Sequence, residues 1–232
     1  FFYLPETKPN NTSNKLKTIL KNPFKQIFTV FKEEKIRKLS LAFFIYFIAF
    51  TGLTNILIFF LQESLNWTTK ASSGTLVVVG IIAIIVQGGL IGPLVKKFGE
   101  MRLTLIGSGF ILVACSFLIT APKENATINI YTAVSFLAVG AGLITPTLRA
   151  LISKKLAVDK QGSILSNLQG LQSLGGVLGI AMAGRVYDGF GPKSPFIAGS
   201  IILVFMIYLI AEGKTNNSNY DQNQNYLNEK TG

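Results

Sequence analysis

Gly92-Pro93-Leu94-Val95-Lys96-Lys97-Phe98-Gly99-Glu100-Met101-Arg102 is a short basic stretch with a long apolar run on each side. Residues 74–91 before it carry no charge, and neither do residues 103–121 after it. Both runs approach the ~20 residues that a helix needs to cross ~30 Å of hydrocarbon. A tight cationic turn between two such runs reads as a loop that its lysines hold at one face of a bilayer. A soluble domain gives no comparable reason for it.

The rest of the chain agrees. Of 232 residues, 14% are charged and 49% hydrophobic, where a soluble domain carries about 25% charged residues. Mean hydropathy is +0.46. The net charge of +11 could suggest nucleic acid. The basic residues, however, lie between apolar runs rather than in one patch, so the lipid bilayer is the expected partner and nucleic acid is not. There is no His, which excludes histidine-based catalysis. No metal-ligand set, cofactor motif or nucleophile–base pair is evident, so neither an enzyme nor a metal or cofactor site is expected. Cys115 stands alone in an apolar run and reads as a small packing residue.

Six helical spans are expected, at about 39–61, 74–94, 103–121, 128–152, 162–186 and 195–211. They must be helices because hydrocarbon leaves no partner for an unpaired backbone amide. The fold class is therefore an all-α membrane protein, a six-transmembrane-helix bundle. Eighteen of the 22 Lys and Arg fall on one side of that alternation and four on the other. The positive-inside rule then places both termini in the cytoplasm, in a bacterial-type inner membrane.

Around the bundle (39–212) lie two flanking regions. Residues 1–38 begin with Phe1-Phe2-Tyr3-Leu4, which reads as the tail of an earlier apolar helix. The chain is thus expected to be the C-terminal part of a longer one, with the part that precedes it as a partner. A basic linker follows. In it Asn22-Pro23 can cap and start an amphipathic helix with Phe24, Ile27, Phe28 and Phe31 on one face. Residues 213–232 are Asn-rich and polar and read as a disordered cytoplasmic tail.

No Asp, Glu, Lys or Arg is expected at hydrocarbon depth, so polar chemistry must come from neutral groups. In the first span Tyr46, Thr51, Thr54, Asn55 and Gln62 stand out. Gln87 is the strongly polar residue of the second. In the fourth, Ser135, Ala138, Gly142, Thr145 and Arg149 share one stripe that ends in a cation at the cytoplasmic edge. In the fifth, Ser166, Gln169, Gln172, Ser173 and Gly176 make a polar face. Such residues either pack helices together or line a water-filled path. Amides are costly in lipid without partners. Asn55, Gln169 and Gln172 are therefore the leading candidates for a substrate cavity, with Tyr46, Gln87 and Thr145 beside them.

Gly162, Gly170, Gly175, Gly176, Gly179 and Gly184 crowd the fifth span. Each costs roughly 1 kcal/mol against Ala in a helix, so close helix contact or bending must offset them. Pro146 should kink the fourth span near Thr145. Gly92 and Gly99 are expected to make the tight turn of the basic loop. Lys96, Lys97 and Arg102 are expected at headgroup level, in reach of anionic lipid and of carbonyls at helix C-termini.

Taken together, these stretches resemble the C-terminal half of a major facilitator superfamily transporter, in particular the tetracycline and multidrug proton-antiporter efflux members. Residues 92–102 are similar to the family's loop motif, Gly-x-Leu-x-Asp-Arg-x-Gly-Arg-Lys-Arg. Gly92, Leu94, Gly99 and Arg102 match in place, and Lys97 is conservative. Lys96 replaces the motif's Asp and leaves no acid at that position for a gate ion pair, so the resemblance implies that Lys96, Lys97 and Arg102 brace helices through carbonyls and lipid as the cytoplasmic side closes. Residues 137–148 resemble the family's helix ten. Asp159-Lys160-Gln161-Gly162 resembles the entry to helix eleven, where this chain has Gly179-Ile180 in place of the frequent Gly-Pro. Leu4-Pro5-Glu6-Thr7 resembles the end of helix six. The resemblance covers residues 1–211.

It implies two six-helix bundles that hold a small-molecule substrate between them at mid-membrane and work by alternating access. It implies proton-coupled efflux of small organic molecules or drugs. Sugar or metabolite uptake by the same fold, and a non-transporting membrane fragment or scaffold, remain the alternatives.

Overall fold

The computed structural model describes residues 27–122, 126–156 and 158–231, with backbone alone for 158–159 and 213–231. All regular structure among these residues is helical. The six main helices are α1 Glu34–Ser64, α2 Thr69–Phe98, α3 Glu100–Thr120, α4 Thr127–Ser153, α5 Val158–Phe190 and α6 Ser194–Thr231. They contain the six expected spans, apart from Ala121 at the end of the third. Five are long and apolar enough to cross a bilayer. The exception is α5, whose Gln, Ser and Gly residues dilute its hydropathy.

Packing sets the order of neighbours. α3 lies along α4, and α1 lies along both α5 and α6. α2 rests on α4, α3 reaches α6, and α1 meets α4. α2 and α5 are the edges of the bundle. Its core is built from Phe43, Tyr46 and Phe47 of α1, Ile111 of α3, Ile144 of α4, Leu171 of α5 and Met206 of α6. Phe60 and Phe196 meet edge-to-face at 5.2 Å, joining α1 to α6.

Glycine permits two of these contacts. On α5, a Cβ on Gly179 would strike the backbone carbonyl of Ile48, and one on Gly52 of α1 would lie 2.8 Å from the Gly179 carbonyl. Between α3 and α4, a Cβ on Gly107 would lie 2.9 Å from the Gly140 carbonyl. Beside that crossing, the buried hydroxyls of Thr104 and Thr147 share a hydrogen bond of 2.9 Å. Small residues that let membrane helices approach closely are a general packing device.

The outer surface is apolar. Leu76, Val77, Ile81, Ile84 and Ile85 of α2 and Ile201, Val204 and Phe205 of α6 are exposed. An exposed apolar patch on this scale is foreign to a soluble monomer and natural against lipid or another bundle. α2 has 11% of its apolar window buried, against 50% for α1 and α4. Its faces are thus left for such neighbours.

Three expectations change. First, α2 stays helical through Phe98, so the basic loop shrinks to Gly99 at φ +76°. Gly92 lies inside the helix with open space around it and makes no turn. The π turn at Val86–Leu90 lies immediately upstream. It rearranges the backbone where the ring of Pro93 would otherwise press on the carbonyl of Gly89. Second, Phe28–Phe31, expected within the amphipathic helix, form a 3₁₀ turn docked on the bundle. Val30 is fully buried, Ile27 fills the notch above Gly170, and Asn167 Nδ2 donates to Thr29 Oγ1 at 3.2 Å. Phe24, the Asn22-Pro23 start and the Phe1–Leu4 segment lie outside the described residues. Third, the tail expected to be disordered continues as the backbone of α6 to Thr231, since no Pro or Gly interrupts residues 214–231. Pro146 lies inside α4, which is helical on both sides of it.

Candidate functional site

α1, α4 and α5 converge on one charged side chain, Arg149. It follows Thr145 by one turn on α4, so both point to the same face. Gln169 and Gln172 stand three apart on α5, as Phe43 and Tyr46 do on α1. Arg149 Nη2 donates to Gln169 Oε1 at 2.9 Å and to Gln172 Oε1. The guanidinium lies over the Phe43 ring, 5.9 Å from its centroid. Next to it the buried Tyr46 hydroxyl shares a 3.3 Å hydrogen bond with Thr145 Oγ1, and its ring stacks on Phe50 at 5.5 Å.

The cluster is cationic with no anion of its own. Every described ion pair lies elsewhere: Lys38–Glu212, Lys154–Glu100 and Lys160–Glu33. Glu63 accepts from Tyr187 instead. The charge of Arg149 is met only by two amide carbonyls and a ring face. Its Nε is shut off from solvent without a partner. An arginine cannot shed its proton to escape this.

The sequence suggested an edge cation here. Phe43 lies four residues past Leu39, where the first expected span begins, about 6 Å along the helix axis at ~1.5 Å per residue. The guanidinium therefore sits just inside the end where the lysines gather. Charges so placed in membrane helices mark functional sites by default.

Of the six cavity candidates, Gln169 and Gln172 come together and Tyr46 and Thr145 adjoin them. Asn55 does not join. It is exposed, and its Nδ2 donates to the Thr51 carbonyl at 2.9 Å, back along its own helix. Gln87 is exposed within the π turn of α2. The stripe on α4 is likewise divided. Gly142 is covered by Val86 of α2, while Ser135 lines a groove of about 580 Å³ between α3 and α4 that contains none of the six. In α5, Gly175 and Gly179 serve contact with α1, while Gly162 and Gly184 face open space.

The basic loop also holds a residue that sequence reasoning missed. No described ion pair uses Lys96, Lys97 or Arg102, and Lys97 lies over its neighbour Phe98 at 5.3 Å. The bracing contact comes instead from Glu100, the first residue of α3, which accepts from Lys154 at the end of α4. A carboxylate is present after all, displaced along the loop from the position that Lys96 occupies. The one available signal was an acid directly after a turn glycine, at a helix start.

Comparison with known proteins follows the same lines. A family model described as Major Facilitator Superfamily matches residues 1–180. Among curated relatives, the chain is similar to multidrug resistance protein 2 of Bacillus subtilis (strain 168), 29% identical over 170 residues that make up 71% of this chain and 40% of that protein. It is similar to the class H tetracycline resistance protein of Pasteurella multocida, 27% identical over 131 residues, 56% of this chain and 32% of that one. It is also similar to human hippocampus abundant transcript-like protein 1, 21% identical over 212 residues, 82% of this chain and 41% of that one. The chain spans less than half the length of each of these relatives.

Proposed function

Because the chain belongs to the Major Facilitator Superfamily, we propose that it acts as one six-helix half of a secondary transporter that exports small organic molecules, driven by a proton gradient. It moves molecules across a bilayer rather than transforming them. A second six-helix half completes the path, and the two bundles rock about a site between them.

The observation that carries this reading is the Arg149 cluster. A cation held by two amides, where α1, α4 and α5 meet, has little use in helix packing. It suits a surface that meets a polar guest. The apolar exposure of α2 and of Val177, Leu178 and Ile180 on α5 suits contact with the other half beside it. Efflux is favoured over uptake by the relatives named for multidrug and tetracycline resistance. The charge count supports cytoplasmic termini, with the lysine-rich helix ends inside.

Full-length protein in proteoliposomes tests this. An imposed proton gradient should drive accumulation of a dye such as ethidium against its concentration gradient. Movement that ignores the gradient, or no movement of a panel of drugs and dyes, contradicts proton-coupled efflux.

A further inference from the structure

We infer that Arg149, Gln169 and Gln172 form the seat for a carboxylate group of the transported molecule, an inference that rests on the transporter reading above. Both amide oxygens are turned to Arg149 Nη2. Each Gln side chain keeps its whole N–H₂ to donate while its oxygen faces the cation, and arginine has no acceptor. What the cluster presents is therefore a set of donors around one positive charge. The complementary guest is rich in acceptors and carries one negative charge.

A carboxylate fits that description better than a phosphate dianion. Guanidinium binds it with two parallel bonds, and one arginine neutralises it in full. No described carboxylate of this chain pairs with Arg149; Glu33, Glu100 and Glu212 are held by Lys160, Lys154 and Lys38. Access is also provided. Gln169 is exposed, and Gln172 and Arg149 are half-buried. Phe43 and Tyr46 beside them are fully buried and back the guanidinium from the core side, so a guest meets the cluster from the exposed Gln169 side. The exposed Asn55 and Gln87 lie outside the seat.

The test uses purified full-length transporter in nanodiscs with two small probes of matched shape, benzoate and benzamide, at millimolar concentration. Thermal stabilisation reads binding. Benzoate should stabilise the wild type and benzamide should not. Arg149→Gln should lower benzoate affinity roughly 30-fold or more, as loss of one partner of a buried charge pair does. Arg149→Lys should keep part of the preference, and Gln172→Leu should weaken it in a protein whose charge is intact. Equal response to both probes, or to neither, overturns the seat. So does an Arg149→Gln protein that melts lower yet keeps the benzoate preference, which would mean that Arg149 pairs with a carboxylate elsewhere in the transporter. Vesicle transport separates this from the function reading. Benzoate selectivity without gradient-driven transport keeps the seat and removes the transporter. Dye transport with indifference to benzoate does the reverse.

Discussion

Gly179 of α5 lies against the backbone carbonyl of Ile48 of α1 with no room for a Cβ between them. Backbone cannot yield as the tip of a side chain can. Gly179→Ala should therefore separate α1 from α5 and cost at least the ~1–3 kcal/mol of an overpacked core. Gly184, five residues on, faces open space, so Gly184→Ala should leave the melting temperature unchanged or raise it. Thermal unfolding of the two variants in detergent, side by side, checks this. Equal behaviour would mean that α5 does not pack on α1 as described.

The two loop glycines should also part company. Gly99 holds φ +76°, which a side chain tolerates poorly, so Gly99→Ala should destabilise by about 1 kcal/mol. Gly92 is helical in open space, so Gly92→Ala should be neutral or slightly stabilising. Chemical denaturation of both variants measures the contrast.

Glu100 and Lys154 join the starts and ends of neighbouring helices. Lys154 is largely exposed, so Glu100→Gln should cost less than about 1 kcal/mol of stability. Its effect should appear in the transport rate, because the pair ties α3 to α4 at the end where the bundle must open and close. The exchange Glu100→Lys with Lys154→Glu should restore that rate. A double exchange as slow as the single variants would mean that the pair does not brace the cycle.

Thr104 and Thr147 form a buried hydrogen bond between side chains of α3 and α4. Each hydroxyl has one proton, so the one that donates across the helices is not free to donate to a carbonyl of its own helix, Glu100 at 2.8 Å for Thr104 or Leu143 at 2.7 Å for Thr147. Those local alternatives soften the loss of the other partner. A double-mutant cycle with Thr104→Val and Thr147→Val should give a coupling near ~0.6 kcal/mol, the size found between membrane helices.

Much of the bundle was legible in the sequence because hydropathy and lysine placement act on whole segments. A run such as 103–121 has few ways to avoid being a membrane helix. The site was legible only in pieces. Gln169 and Gln172 could be grouped because they share a helix face, and Tyr46 and Thr145 could be suspected. The contacts of Arg149 were not legible, since the direction of a long flexible side chain is set by tertiary neighbours such as Phe43 and Gln172. Asn55 stands apart from the cluster, because an amide can also satisfy itself locally, here at the Thr51 carbonyl one turn back. Glu100 was passed over because a single acid beside a turn says nothing about which lysine it will meet.

The claim at the centre is that the Arg149 face lies on a path open to each side of the membrane in turn. A cysteine at position 169, in a Cys115→Ala background of the full-length transporter, reports on it directly. An impermeant thiol reagent should label Gln169→Cys from either side of oriented vesicles, with a proton gradient shifting the ratio of the two rates. Labelling from neither side, or from one side only whatever the gradient, would contradict it.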